Sequence, residues 1–193
     1  MAKKSTYNAK DIEVLEGLEP VRKRPGMYIG STNQDGLHHL VNEVLDNSID
    51  EVLAGHATDI SFQYKKDGSI KIKDNGRGIP IDFHPKYKNK RALEVVLTTL
   101  HAGGKFNSNA YKTSGGLHGV GISVVNALSS LLQVQVFKDG KVYRQDYSKG
   151  KVKTKIKIEK CSKKLKGTEI SFIPDESIFC LLYTSPSPRD SDQ

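Results

Sequence analysis

The sequence contains only two cysteines, Cys161 and Cys180. They are too few for a disulfide framework or a structural zinc site, which favours a protein of the reducing cytoplasm. No apolar run approaches the roughly 20 residues that a membrane-spanning helix needs, and the start, MAKKSTYNAKD, lacks the apolar region of a signal peptide. We therefore expect a soluble, cytoplasmic chain without a membrane partner.

Two common phosphate-binding signatures are also missing. The P-loop pattern GxxxxGK[ST] occurs nowhere in the chain. The GVG at 119–121 lacks both the third glycine and the βαβ context of a dinucleotide-binding fingerprint. A nucleotide site in this chain would therefore have to belong to another class.

Basic residues outnumber acidic ones, and the formal net charge is +8. This balance permits a nucleic-acid partner. Much of the excess, however, is lysine that alternates with apolar residues, as in KVKTKIKIEK at 151–160. Such a pattern is more typical of the solvent face of a strand than of a DNA footprint. A plain DNA-binding domain stays an alternative, and it would bind DNA with a steep salt dependence in the absence of nucleotide.

Length and periodicity divide the chain into three parts. Residues 1–10 are polar and predict an arm, residues 11–179 predict one domain, and residues 180–193 predict a disordered or foreign tail. The tail, CLLYTSPSPRDSDQ, loses all periodicity and is rich in Ser, Pro and Asp. We expect that the true reading frame was lost near Phe179 and that the natural protein continues beyond it. A genomic read with the same tail and a stop after it would contradict this.

Hydrophobic periodicity predicts a chain that contains both helices and strands. Helices are predicted at 37–55, 92–100 and 117–132, and a loop at 21–30. Strands are predicted at 58–64, 69–73, 133–138, 141–147, 151–158 and 168–173. Hairpin turns are expected at Asp67-Gly68, Asp139-Gly140 and Lys149-Gly150.

The predicted helix at 37–55 has an apolar face and a polar line. The apolar face is formed by Leu40, Val44, Leu45, Ile49, Val52 and Leu53. Glu43, Asn47 and Asp50 stand at i, i+4 and i+7, so they follow one side of the helix. Two carboxylates and an amide in this arrangement would activate a water, hold a hard cation through oxygen and anchor an arginine. The alternative is a solvated helix face.

The loop DNGRGIP at 74–80 follows a predicted strand. Asp74 is placed to accept a hydrogen bond from the exocyclic amine of adenine while a water serves the ring nitrogen. Gly76 and Gly78 allow the backbone to come close to a ligand. Arg77 would stack on a flat ring or pair with Asp50. The alternative is an ordinary turn with a surface arginine.

The segment SGGLHGVGISVVNAL at 114–128 runs from glycine-rich chain into a predicted helix, whose exposed N–H groups favour phosphate. The stretch 102–116 contains four glycines and is expected to move as a lid. Lys105 lies in this lid and would reach a phosphate. A flexible linker is the alternative.

These motifs are specific in combination. E-x2-DN-x2-D on a helix, DNGRGIP after a strand, and GGKF and GGLHGVG before a second helix occur in this order. Together they resemble the GHKL ATPases, specifically the ATPase domain of the type II DNA topoisomerase B subunits. The resemblance covers residues 7–174 and includes VRKRPGMYIG, DNSIDE and SVVNALS. Heat-shock chaperones, mismatch-repair ATPases and histidine kinases are less similar. The insertion HPKYKNKRALEVVLTTLHAGGKF, with YKTSGGLHGVG, looks more like the B subunit of topoisomerase IV than that of gyrase.

The resemblance implies a role for individual residues. Glu43 matches the general base that activates the attacking water, and Asn47 matches the Mg²⁺ ligand. Asp74 matches the adenine-reading carboxylate, and Thr168 matches the threonine that shares its water. The implied ATP-binding positions are Tyr7, Asn47, Asp50, Asp74, Arg77, Gly78, Ile79, Pro80, Lys105, Gly116, Leu117, His118, Gly119, Val120, Gly121 and Thr168. Tyr7 and Ile12 match the arm that crosses to a partner subunit. Lys138 stands where gyrase-type members often carry arginine, a departure that bears on coumarin-type inhibitors and leaves nucleotide binding intact.

The resemblance also implies a fold and an activity. The fold is α+β, a two-layer α/β sandwich with a mixed, mostly antiparallel sheet, helices on one face and ATP·Mg²⁺ between helices and sheet. In the intact protein, ATP would close two B subunits into a gate that captures a DNA segment, and hydrolysis would reset it. The implied partners are a second B subunit, the topoisomerase A subunit in an A2B2 complex, and DNA. The alternatives are the gyrase B subunit, which serves in DNA supercoiling, and a nucleotide-binding module without turnover.

The family's transducer lysine and its DNA-cleavage domain would both lie after residue 179. Without an added cation on the γ-phosphate, the charge that develops there is less well stabilised. We therefore expect this chain to bind ATP, to hydrolyse it weakly and not to cut DNA.

Overall fold

The computed structural model describes residues 15–100, 102 and 121–179, and a seven-stranded sheet forms its centre. The strands are β1 (Ile60–Tyr64), β2 (Ile70–Asp74), β3 (Ser129–Lys138), β4 (Lys141–Ser148), β5 (Lys151–Val152), β6 (Lys157–Lys160) and β7 (Gly167–Pro174). The helices in the same residues are α1 (Glu19–Lys23), α2 (Gly26–Ile29), α3 (Gln34–Leu53), α4 (Ala92–Thr98) and α5 (Gly121–Ala127). None of these helices is long and apolar enough to cross a membrane. The predicted arm at 1–10 and tail at 180–193 lie outside the described residues.

The strands lie in the order β1-β2-β7-β3-β4-β5, with β6 beside β4. Each pairing between named strands in the described part of the chain is antiparallel, so the sheet that we expected to be mixed is antiparallel there. Strand β7 lies between β2 and β3 and joins the first hairpin to the second half of the chain. As a result, the end of β2 lies directly beside the start of β7.

The two faces of the sheet differ in chemistry. Ile72, Ile170 and Val134 lie in register on one face, and they belong to a hydrophobic core that also contains residues of the helices. On the other face, Lys71 and Gln135 donate to one carboxylate oxygen of Glu169, at 2.7 and 3.1 Å. The helices therefore cover the apolar face and leave the polar face open, which confirms the predicted two-layer α+β arrangement.

Helix α3 packs on the sheet through a narrower face than we predicted. The Asn33 side chain caps it by accepting a hydrogen bond from the N–H of Asp35 at 2.9 Å. The buried residues of α3 are Gly36, Leu40, Val44, Ser48 and Asp50. Ile49, Val52 and Leu53 are exposed, so our placement of these three on the core face was wrong. The row Gly36, Leu40, Val44 and Ser48 faces the sheet. Its last member, Ser48, meets the polar side chain of Asp74 at the end of β2.

The helix predicted at 117–132 is described from Gly121, and it ends at Ala127. The Ser129 hydroxyl donates to the carbonyl of Val125 at 2.6 Å, and β3 begins at the same residue. Leucine favours helices in isolation, but Leu132 pairs with Phe172 of β7 in the sheet. Pairing with a distant strand overrides the local preference here, which the sequence pattern alone does not reveal.

Three other predictions meet different outcomes. The turns at Asp139-Gly140 and Lys149-Gly150 are confirmed, since both residues of each turn have positive φ, as in tight hairpins. The strand predicted at 151–158 is interrupted between β5 and β6, because the N–H groups of Lys153 and Thr154 both bond the carbonyl of Asp146. The segment predicted as a loop at 21–30 contains α2 and most of α1.

An ion pair joins α1 to the end of β7. Arg22 donates to the carboxylate of Asp175 at 2.7 Å and to the carbonyl of Ala127 at 2.7 Å. Ser177 donates to the other carboxylate oxygen of Asp175 from its hydroxyl and its N–H. Burial alone would raise the pKa of Asp175, but the hydrogen bonds from Arg22 and Ser177 lower this pKa to about 2.

This lowered pKa predicts a specific pH dependence of stability. A carboxyl group whose pKa is lower in the folded state than the unfolded value of about 3.9 stabilises the fold above that pH. Solvent at the partly exposed Arg22 weakens the ion pair. We therefore expect the free energy of unfolding at pH 7 to be about 1–2 kcal/mol higher for the parent than for Asp175→Asn. The difference should vanish as the pH falls to about 2. Urea unfolding at several pH values measures it, with Asp82→Asn as an exposed control; a pH-independent difference would contradict the assignment.

Candidate functional site

The carboxylate of Asp74 lies at the end of β2, buried beneath α3 and beside β7. One of its oxygens accepts the N–H groups of Gly76 at 2.8 Å and Thr168 at 3.3 Å. The other accepts the hydroxyl of Ser48 of α3 at 3.2 Å. Since an ionised carboxylate offers about four acceptor positions, these three donors leave it able to accept one more hydrogen bond.

Burial raises the pKa of Asp74, and the hydrogen bonds from Gly76, Thr168 and Ser48 oppose that rise without cancelling it. The residue is only 6% exposed. In the part of the chain that the structure describes, no cation is paired with this carboxylate, so a further neutral donor would stabilise it.

The loop after β2 comes very close to the start of β7. A Cβ on Gly167 would overlap the backbone carbonyl of Asp74. Gly167 also has φ +108°, a backbone conformation that residues other than glycine rarely adopt. A Cβ on Gly78 would lie 2.9 Å from a Val136 methyl carbon. Close backbone contact therefore positions the loop, and it depends on glycine at these points.

Thr168 connects the two sides of this contact. Its N–H donates to Asp74, while its hydroxyl oxygen accepts the N–H of Ile79 at 3.1 Å. Ile79 is half-buried against the core, and Pro80 is exposed beside it. Asp74, Thr168 and the apolar Ile79–Pro80 segment thus lie together, as the sequence predicted.

The bidentate partner of Arg77 is Glu51 and not Asp50, which corrects the pair that we predicted. Arg77 donates from its backbone N–H, Nε and Nη2 to the carboxylate of Glu51, at 2.9, 3.2 and 2.8 Å. Asp50 is instead 1% exposed, on the buried side of α3. One residue along a helix is a turn of about 100°, so only the second of these two neighbouring acids faces the loop.

Arg77 also lines an open cleft at the loop. The cleft has a volume of about 590 Å³, and Gly76, Phe137 and Lys138 contribute to its wall. Lys138 therefore lies beside Arg77, which places it next to the loop that follows Asp74.

Glu43 and Asn47 lie one turn apart on α3, in front of the start of α5. The carboxylate of Glu43 lies 3.2 Å from Nε2 of His39. The Asn47 amide donates to the Glu43 carbonyl at 2.8 Å. A Cβ on Gly121 would overlap the Glu43 carboxylate, so α5 begins in direct contact with this acid.

The oxygen donors at this end of α3 suit a hard cation. Because the Asn47 amide nitrogen bonds the helix backbone, its carbonyl oxygen points away from that bond and is the atom that Mg²⁺ would take. In residues 15–100, 102 and 121–179, no group of three or more His, Cys, Asp or Glu side chains is arranged to hold a metal alone.

The other predicted positions lie outside the described residues. They are the arm residues Tyr7 and Ile12, and the lid residues Lys105, Gly116, Leu117, His118, Gly119 and Val120. The roles of these residues, and of the described ones, stay predictions.

Sequence reasoning missed four residues that the structure brings to the site: His39, Ser48, Glu51 and Gly167. His39 stands four residues before Glu43, a spacing that joins side chains on a helix. Ser48 continues the buried row of α3, and Glu51 is the acid next to the one that we chose. Gly167 directly precedes Thr168, the threonine that the resemblance assigned to the site.

The close contact at Gly167 predicts a large loss of stability on substitution. Gly167→Ala adds a Cβ where the Asp74 carbonyl lies, whereas Gly55→Ala adds one at φ +75° with nothing within 4 Å. The control should lose about 1–2 kcal/mol from backbone strain alone, and Gly167→Ala at least about 2 kcal/mol more. Urea unfolding of both variants measures this, and equal losses would show that the loop and β7 do not meet as described.

A family profile and several known proteins match this chain. The profile describes histidine kinase-, DNA gyrase B- and HSP90-like ATPases and matches residues 32–178. A DNA topoisomerase 4 B subunit of Rickettsia bellii is 65% identical over 175 residues, which are 91% of this chain and 26% of the relative. A DNA gyrase B subunit of Thermotoga maritima is 58% identical over 173 residues, 90% of this chain and 27% of the relative. The chain thus spans about a quarter of these relatives.

Solved structures agree with the fold. The 43K ATPase domain of Thermus thermophilus gyrase B, in complex with an aminocoumarin, has a TM-score of 0.73 at 42% identity, over 90% of this chain and 43% of that one. The topoisomerase IV ATP-binding domain of Francisella tularensis, in complex with a small-molecule inhibitor, has a TM-score of 0.71 at 43% identity, over 86% of this chain and 43% of that one. The predicted resemblance is confirmed, and the chain belongs to the family of histidine kinase-, DNA gyrase B- and HSP90-like ATPases.

Proposed function

We propose that this chain is the ATP-binding part of a type II DNA topoisomerase B subunit of the topoisomerase IV kind. The buried Asp74 carboxylate, with three donors in place and one acceptor position left, carries the proposal. The topoisomerase IV assignment is supported by five Rickettsia relatives at 62–65% identity. A gyrase B subunit is the alternative, at 58% identity to the Thermotoga protein.

Adenine recognition follows from the position of Asp74. An exocyclic amine donates a hydrogen bond and carries no charge, so it matches an uncompensated buried acceptor. Thr168 bonds Asp74 through its N–H, and its hydroxyl would hold a water for the ring nitrogen. Ile79 and Pro80 supply apolar surface for a flat base. The Glu51–Arg77 pair holds the loop at the edge of this pocket.

Hydrolysis would use the other end of the site. Glu43 is the general base for the attacking water, because its carboxylate faces the start of α5, where the phosphate-binding segment ends. His39 positions that carboxylate. Bound Mg²⁺ would neutralise charge on the phosphates. Asn47 would hold the ion through its side-chain oxygen.

In the whole protein, ATP binding would join two B subunits and close a gate on a DNA segment. The A subunit would provide the rest of an A2B2 complex in the cytoplasm. The predicted arm residues Tyr7 and Ile12 would reach the second B subunit, and the lid with Lys105 would enclose the phosphates. In this arrangement hydrolysis resets the gate after strand passage.

The test is a thermal melt with and without Mg²⁺ and a non-hydrolysable ATP analogue. At about 100 times Kd the ligand should add roughly 2.7 kcal/mol, which is about 5–10 °C for a domain of this size. Asp74→Asn should melt at or above the parent temperature without ligand, since its raised pKa shows that burying the charge is unfavourable. It should show no shift with ligand.

Glu43→Gln is the matched control, because it changes a half-buried acid of the same site away from the adenine position. It should keep the ligand shift, and in the full-length protein it should reduce ATP turnover at least about 100-fold. A shift that survives in Asp74→Asn would overturn the adenine assignment. Normal turnover in Glu43→Gln would mean that another group acts as the base, whereas absence of turnover in the full-length parent would favour a module that binds without catalysis.

A further inference from the structure

The sheet edge opposite β1 carries a dense positive charge. Between residues 151 and 166 the sequence has eight lysines and one acid, so this stretch holds most of the chain's +8 excess. All eight are exposed. We call them the lysine edge, and they are Lys151, Lys153, Lys155, Lys157, Lys160, Lys163, Lys164 and Lys166.

The fold leaves this charge without a paired acid in the described residues, partly along the sheet edge and partly in the connection from β6 back to β7. β4 ends the long strands of the sheet, and β5 and β6 pair with its two halves along the outer side. The acid Glu159 already bonds Arg144, at 2.9 Å. Within residues 15–100, 102 and 121–179, no carboxylate forms an ion pair with any member of the lysine edge. Lys166 donates to the carbonyl of His56 at 3.5 Å, and Lys163 and Lys166 line the cleft beside Arg77. The other six lysines are exposed to solvent.

Protection of the strand edge does not account for the whole pattern. Exposed lysines on an edge strand prevent pairing with other chains, and that explains those of β5 and β6. Lys163, Lys164 and Lys166 follow in the connection between β6 and β7, however, where no strand edge is free to pair. The charge continues beyond the feature that it would protect.

We propose that the lysine edge contacts the phosphate backbone of duplex DNA. The proposal rests on the proposed function, because a DNA gate brings a duplex near this domain. The stretch 151–166 contains no Phe, Tyr or Trp, so it lacks the stacking surface that binds single strands. Lysines without an arginine fork neutralise phosphates and do not read bases. The contact is therefore electrostatic and independent of base sequence.

The geometry disfavours a membrane surface as the occupant. Peripheral membrane segments are usually amphipathic helices with a buried apolar face, whereas this charge lies on two short strands and a connection. Duplex DNA presents one negative charge per about 1.7 Å of axis, which a cluster of fixed cations matches along a sheet edge.

The experiment measures binding of a labelled mixed-sequence duplex by fluorescence anisotropy, without nucleotide, between about 50 and about 200 mM salt. The variant is K153Q/K155Q/K157Q/K160Q. The control, K65Q/K66Q/K86Q/K88Q, removes the same charge from exposed lysines elsewhere on the described surface. The variant should weaken binding at low salt at least ~10-fold and reduce the slope of log K against log salt by about 3–4. The control should change affinity less than ~3-fold.

Equal effects of variant and control would overturn the proposal, since net charge alone would then explain binding. Binding of the parent to phosphatidylserine vesicles but not to the duplex would overturn it in favour of a membrane surface. The nucleotide-induced melting shift, measured on the same variant, separates this proposal from the proposed function. A variant that keeps the melting shift but loses DNA binding supports the contact between the lysine edge and DNA. A parent that shows no melting shift refutes the proposed ATP binding and leaves the DNA contact standing.

Discussion

The candidate site depends on the buried carboxylate of Asp74, which has no paired cation among the residues that the structure describes. Asp74 is the last residue of β2, and its oxygens accept two backbone N–H groups and one hydroxyl. Burying an ionised acid is unfavourable unless donors surround it, and the raised pKa of Asp74 shows that the donors compensate only in part. The remaining acceptor position is the one that we propose a ligand amine occupies. The site is therefore poised to gain stability from a ligand.

The neighbouring residues serve to hold those donors. The Thr168 N–H reaches Asp74 because Gly167 lets the start of β7 lie against the β2 carbonyl. The Gly76 N–H reaches it because Glu51 and Arg77 hold the turn. Ser48 reaches it from α3. One helix, one loop and one distant strand thus converge on a single carboxylate, and the order β1-β2-β7-β3 brings them together.

The order of the motifs was sufficient to predict the fold class and the main elements, but it did not reveal that Ser48 bonds Asp74 or that Gly167 lies against it. Which side of each helix faces the core was harder to predict. Apolar residues on α3 suggested a broad core face, but Ile49, Val52 and Leu53 are exposed. At about 100° per residue they lie on the side of the helix away from Leu40. The choice between Asp50 and Glu51 depended on a rotation of about 100° around the helix axis, which spacing alone does not determine.

The start of β3 shows that the secondary structure of a segment was also hard to predict from the local sequence. Local propensity extended the helix through Leu132, yet that residue pairs with Phe172, forty positions later. Sheet pairing between distant segments depends on topology, and the sequence window that predicts a helix does not contain it. The lysine-rich segment was predicted as a strand face, and β5 and β6 lie there, although the interruption between them arises from two N–H groups that share the Asp146 carbonyl.

The most direct test of the account compares the binding of ATP and inosine triphosphate by titration calorimetry. The two nucleotides share ribose and phosphates, but inosine replaces the exocyclic amine with a carbonyl oxygen that would face the Asp74 carboxylate. The account predicts that inosine triphosphate binds at least about 100-fold more weakly, a difference of about 2.7 kcal/mol. Affinities within about threefold of each other, less than about 0.7 kcal/mol, would mean that Asp74 does not read the base.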